Sequence, residues 1–210
     1  MQTMENNFNE QDSLKLINEM ITQARNNFRK GAGNSFILWG YVIAILAMSD
    51  FILLQVLEPA YYANYVWLIT IPVFIGNYWN ESRKAKEAVV ITHLDRVVGF
   101  IWLGFFISNI LLVCSIFFIA INWNTYIPYL FITPTIMIMV GLALFITAKV
   151  YRFKPYFNGA CIFWLGAVLC VLQYSFIKNI DLEFIILSIS MILGFVIPGH
   201  ILNRKAESNV

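Results

Sequence analysis

Charge is scarce in this chain. Only 12% of its 210 residues are Asp, Glu, Lys or Arg, about half the roughly 25% of a soluble domain. With 60% hydrophobic residues and a mean hydropathy of +0.71, that scarcity excludes an ordinary water-soluble globule. It also excludes a disordered chain, which needs low hydrophobicity and high charge. Common catalytic signatures are missing too: the chain has no Gly-rich phosphate loop, no H-E-x-x-H and no G-x-S-x-G. An enzyme is not expected. The three cysteines, Cys114, Cys161 and Cys170, sit in apolar runs without metal-ligand spacing, and His93 and His200 are isolated. They read as packed or interfacial residues, so no metal site and no cofactor is expected. No apolar h-region precedes a cleavage-like site in the first 35 residues, so the first apolar segment is expected to act as an uncleaved signal anchor.

What the chain does have is long apolar segments. Six stand out, at about 36–57, 62–79, 98–121, 126–148, 159–177 and 182–202. Each is long enough, or nearly so, to cross ~30 Å of hydrocarbon as a helix. Strand-like alternation is absent, and lipid leaves backbone polar groups no partner outside the segment. The expected fold is therefore all-α: a polytopic membrane protein with a six-helix transmembrane domain over 36–202. Residues 1–35 form an N-terminal segment before it and residues 203–210 a tail after it.

Basic residues are divided unevenly between the connecting segments. Lys15, Arg25, Arg29, Lys30, Arg83, Lys84, Lys86, Arg96, Lys149, Arg152, Lys154, Arg204 and Lys205 fall on one side, and Lys178 alone on the other. The positive-inside rule places both termini in the cytoplasm. The same rule accounts for the basic loops, which are too short for a nucleic-acid domain, so no nucleic-acid partner is expected. Tyr61, Tyr62, Tyr65, Trp67, Trp123, Tyr126 and Tyr129 read as an outer aromatic belt, and Trp39, Tyr41, Tyr78, Trp79, Tyr151 and Tyr156 as an inner one.

A repeat runs through the six segments. Trp39-Gly40, Trp102-Leu103-Gly104 and Trp164-Leu165-Gly166 open the odd-numbered spans, with tryptophans 63 and 62 residues apart. Pro72, Pro134 and Pro198 sit in the even-numbered spans, 62 and 64 residues apart. Three helical-hairpin repeats are expected, at about 36–79, 98–148 and 159–202, arranged about a pseudo-threefold axis. Gly40, Gly104 and Gly166 each begin a small-xxx-small pair, which lets helix backbones approach closely in lipid. The prolines are expected to kink their helices.

Among polar residues at membrane depth, Asp50 reads as the one acidic residue inside a span, and an intramembrane carboxylate defaults to a functional hypothesis. With Asn109, Gln173, Thr70, Thr133 and Ser190 at similar depth, it forms the candidate midplane polar site. For each Ser or Thr taken singly, a bond to its own or a neighbouring helix is the commoner role. Residues 12–30 read as an amphipathic helix, with Leu14, Ile17, Ala24 and Phe28 on its apolar face. It suits the membrane interface, and residues 10–30 could dock a cytoplasmic protein partner.

Two readings of function follow. One is a small carrier or channel for an ion or small solute, using the repeats, the prolines and Asp50. The other is a non-transporting membrane adaptor or regulatory protein working through its cytoplasmic amphipathic segment. The stretch Ser13 to Ile21, followed by Phe36-Ile37-Leu38-Trp39-Gly40-Tyr41, resembles a group of small uncharacterised inner-membrane proteins of Bacteroidota. The resemblance covers about the first fifth of the chain. It implies a bacterial inner membrane and brings no activity and no site residues.

Overall fold

Lipid-facing sequences fold as helices because only a helix satisfies its backbone bonds within one segment. The computed structural model follows that rule. It describes residues 14–15, 31, 33–87, 93–177, 179 and 181–208, and among these the structure is all-helical. The amphipathic segment expected at 12–30 lies outside the described residues apart from 14 and 15, which are helical. Residues 88–92 of the basic loop and Lys178 also lie outside them.

The first helix, α1, spans Asn34–Val56. A 310 segment, Ala60–Ile69, leads into α2, Thr70–Glu87. α3 spans His93–Trp123, and a second 310 segment, Ile127–Phe131, leads into α4, Ile132–Tyr151. α5 is Lys154–Phe176. The last hairpin arm is α6, Leu182–Met191, a π segment, Ile192–Val196, and α7, Ile197–Ser208. Five stretches are long and apolar enough to cross a membrane: Asn34–Val56, Leu94–Trp123, Ile127–Tyr151, Lys154–Phe176 and Leu182–Ala206. The chain is thus a multi-pass membrane protein in contact with lipid. The apolar stretch expected at 62–79 is divided between the first 310 segment and α2, and does not stand as one long α-helix.

Each repeated proline follows a change of helix type. Pro72 and Pro134 are the third residues of α2 and α4, just after the 310 segments, and Pro198 is the second of α7, just after the π segment. Proline has no N–H to give to the preceding turn, and its ring crowds the carbonyl four residues back in an α-helix. The adjustment falls before the proline, where the hydrogen-bond register shifts, and not as a kink within a continuous α-helix.

Helix ends are set locally. α3 closes with Asn124 at φ 46°, while the Thr125 N–H reaches back to Ala120 O at 3.1 Å. α4 closes the same way, with Arg152 at φ 50° and the Phe153 N–H on Ala148 O at 3.0 Å. These are Schellman-type ends, and Asn tolerates the left-handed conformation better than most residues. Pro155 then sits in the first turn of α5, so α4 and α5 form a tight antiparallel hairpin.

The core lies among α1 and α4 to α7. Met137, Leu144, Tyr156, Ala160, Phe163 and Cys170 are fully enclosed there. Phe36, Tyr156 and Phe195 meet through their rings at 4.7 and 5.5 Å from the Phe36 centroid. α3 is the least covered span: only 11% of its apolar window is buried, against 56% for Leu182–Ala206, and its Trp102 ring packs on Phe36 and Phe195 at 5.4 and 5.7 Å.

The three glycines of the repeat differ in their surroundings. A Cβ at Gly40 would press on Val196 and Phe195, and one at Gly166 on Met137 and Ser190. At Gly104 nothing stands within 4 Å. Among the described residues nothing packs closely on Gly104, because that face of α3 looks away from the core.

Candidate functional site

Call the end of the bundle that carries Lys149, Arg152 and Lys205 the basic end, and the opposite one the far end. α1 runs from basic to far, α4 back again, α5 out, and α6 to α7 back. The far end therefore gathers the last turns of α1 and α5 with the first turns of α4 and α6.

Asp50 lies six residues before the end of α1 and is completely enclosed, at 0% exposure. Sixteen residues from Asn34 put it about 24 Å along the helix at 1.5 Å per residue. Its Oδ2 accepts a hydrogen bond from Trp67 Nε1 at 2.6 Å, and its Oδ1 has no partner. Trp67 belongs to the first 310 segment, where the Thr70 hydroxyl donates to the Trp67 carbonyl at 2.6 Å. The Trp67 ring also faces Phe184 of α6, with centroids 6.3 Å apart. Thr70 thus steadies the turn that presents Trp67, and Trp67 closes over Asp50.

The acidic inventory read from sequence needs correction. Glu183 is the second residue of α6, inside a membrane-spanning stretch, and is only 5% exposed. It stands second in the apolar segment expected at 182–202, where α6 begins at Leu182 and packs inward from its first turn. The signal was Asp181-Leu182-Glu183 itself, an acidic pair suited to a helix N-terminus. Glu183 Oε2 meets the Tyr174 hydroxyl, which also donates to Leu130 O at 2.9 Å. Thr133, in the first turn of α4, hydrogen-bonds the Glu183 carboxyl as well. Asp50, Asp181 and Glu183 lie within electrostatic reach of one another.

Gln173 is 4% exposed and binds the loop to the helix it precedes. With its amide turned so that both ends are satisfied, the nitrogen donates to Asn179 O and the oxygen accepts the Glu183 N–H, each at 3.1 Å. That caps a free amide at the start of α6. Of the expected site residues, Asp50, Thr133 and Gln173 thus gather around Glu183, and Thr70 supports the Trp67 turn. Ser190 is buried deeper on α6, against Gly166, where it serves helix packing. Asn109 is half-buried on α3, outside this grouping. These residues gather towards the far end of the bundle.

Beside this cluster an open groove of about 300 Å³ runs between α5 and α6. It is lined by Leu169, Leu172, Phe176, Ile177, Leu182 and Ile185, with Gln173 at its polar edge. Such a wall suits acyl chains. Among the described residues no three His, Cys, Asp or Glu side chains are placed to hold a metal ion. The cluster can accept and donate protons and tie helices together.

Two further ties, not singled out from sequence, lie at the basic end. Asn203 of α7 accepts the Gly33 N–H at 2.9 Å and donates to Asn34 Oδ1 at 2.7 Å. A Cβ at Gly33 would strike the Gly199 backbone, so α1 and α7 cross backbone to backbone. Tyr151 donates to Asp95 at 2.8 Å and pins α3 to the end of α4. Comparison with protein families, with curated proteins and with solved structures finds no match.

Proposed function

We propose that this chain is a non-transporting adaptor or regulatory protein of the bacterial inner membrane, with six spans, both termini cytoplasmic and three hairpin repeats. The observation that carries the functional reading is the closure of Asp50. A carrier site must meet water on at least one side in some state. Here the carboxyl is fully enclosed, Trp67 covers it, and Gln173 and Ser190 are engaged in helix and loop contacts. Six spans are supported by residues 60–87, which run helically from Ala60 to Glu87 without a break. At 1.5–2.0 Å per residue that is more than 40 Å, enough to cross. The repeat is supported by the change of helix type ahead of Pro72, Pro134 and Pro198. Regulation would pass through residues 10–30 to a cytoplasmic protein.

The test is reconstitution. Purified protein in liposomes should pass protons and monovalent cations no faster than empty liposomes. Deleting residues 10–30 should leave the bundle folded and reduce the size of the native complex. Asp50-dependent flux would overturn the proposal in favour of the second reading, a carrier or channel for an ion or small solute. That reading draws on Asp50 Oδ1, a buried acceptor without a partner.

A further inference from the structure

We propose that the far-end cluster is a proton-binding site in which Asp50 and Glu183 are held as neutral carboxylic acids. The proposal is independent of any adaptor role and concerns what the cluster itself binds. Its first support is a count of hydrogens. The Tyr174 hydroxyl carries one proton, yet its oxygen faces two others, Leu130 O and Glu183 Oε2. A proton on Glu183 lets both contacts be full hydrogen bonds, while Thr133 bonds the same carboxyl. Tyr174 then donates to Leu130 O, and Glu183 donates to the Tyr174 oxygen.

The second support is Asp50. Its Oδ2 takes the Trp67 N–H, its Oδ1 takes nothing, and no part of it reaches solvent. An ionised carboxylate in that place keeps its whole charge on one hydrogen bond, and burying such an ion costs several kcal/mol. A neutral acid leaves one polar atom unpaired, at about 1–3 kcal/mol.

The neighbours point the same way. Among the described residues, the titratable groups facing these two carboxyls are Tyr174 and Cys170 from α5 and Asp181 from the turn before α6, together with each other. None of these groups brings a positive charge to the pair. Asp181 is half-exposed and offers the route by which protons pass to water at the far end. Loss of both the Asp50 and Glu183 protons would put two like charges between α1 and α6, beneath the Trp67 and Phe184 rings. The far end would then loosen where the 310 segment joins it.

Infrared spectroscopy of the purified protein in lipid nanodiscs at neutral pH tests this directly. Two protonated-carboxyl C=O bands are expected. Asp50→Asn should remove one and Glu183→Gln the other. A parent spectrum without such bands overturns the proposal whether or not either variant folds. Lys178, which lies in the sequence between Gln173 and Asp181, supplies the control. Lys178→Met should leave both bands in place, and acid bands that appear only in that variant would show an ion pair instead of bound protons.

Discussion

Gly166 and Gly104 hold the same place in the repeated Trp-Leu-Gly pattern, but an added Cβ at Gly166 would collide with Met137 and Ser190 while one at Gly104 would meet nothing within 4 Å. The contrast extends to whole regions. In the body made of α1 and α4 to α7, Gly33, Gly40, Gly141, Gly159, Gly194 and Gly199 all stand where a Cβ would come closer than 3.0 Å to a neighbour. In the outer region, residues 60–123, Gly76, Gly99 and Gly104 face open space. Both regions are comparably apolar, so composition does not separate them. In water both would be driven inward. In lipid no such force acts between helices, because acyl chains are as apolar as leucine. Helices then gather where small residues allow close backbones and polar groups reach across, and the rest face lipid.

The sharpest way to break this comparison is one substitution made in each region. Gly159 meets the Gly194 backbone, which cannot rotate aside as a side chain can. Gly159→Ala should therefore lose about 2–3 kcal/mol, read as a lower midpoint in denaturant or thermal unfolding in detergent. Gly104→Ala should be neutral or gain up to about 1 kcal/mol from helix propensity. If Gly104→Ala were as damaging as Gly159→Ala, α3 would be packed against something beyond the described residues.

A second pair concerns tryptophans on the same far end. Trp67 joins the outer region to the body through Asp50. Trp67→Phe keeps the ring and removes the donor, leaving the enclosed carboxyl without its one partner. A loss of about 1–3 kcal/mol is expected. Trp123, 75% exposed, should tolerate the same change with less than about 0.5 kcal/mol. Equal effects would mean that Trp67 acts through packing and not through its hydrogen bond.

Much of this division was hidden in the sequence for physical reasons. Hydropathy found the long apolar segments because a bilayer demands length and apolarity. It placed helix ends less well: Lys149 and Lys154, expected in a loop, are helical, since a left-handed Arg152 and Pro155 turn the chain within two residues. The threefold pattern carries no information about which copy of Trp-Gly faces inward. That depends on contacts such as Ser188 to Ala44 O, between residues 144 positions apart. At the site, Asp50 was visible as a lone charge in an apolar run. Glu183 stood inside the segment expected at 182–202, but at its second position, where only the inward packing of the first turn of α6 distinguishes it from a surface helix cap. Gln173 was visible as costly to bury, but its partners are backbone groups across a turn, which residue types do not announce.

A smaller effect separates the two ends of α1. At the basic end Asn203 holds the Gly33 N–H and Asn34 through one amide. Asn203→Ala should cost about 1–2 kcal/mol, less than a backbone clash at Gly159, since water at a membrane surface can replace part of what is lost. Asn203→Asp keeps the acceptor for Gly33 and loses the donor to Asn34, and should fall between parent and alanine variant. An Asp variant worse than Ala would show that the Asn34 contact, not the Gly33 one, carries the tie.

The gentlest probe leaves the fold untouched. Cys114 on α3 and Cys161 on α5 are exposed on the bundle surface, while Cys170 is fully enclosed by the body. In mild detergent, a small apolar maleimide should label Cys114 and Cys161 and leave Cys170 unmodified until denaturant is added, as read by intact mass. The order of labelling grades the two regions by how freely each opens. Cys114 sits in the loosely held outer helix and should react at a rate that barely depends on conditions that stabilise the body. Cys170 can react only when α5 parts from Met137 of α4, whose sulfur lies 3.9 Å away. Its rate should therefore rise with every substitution that weakens the body and stay unchanged for Gly104→Ala. Early labelling of Cys170 in the parent protein would mean that the body breathes as readily as the outer helices, and the distinction drawn from the glycines would then be one of static packing alone.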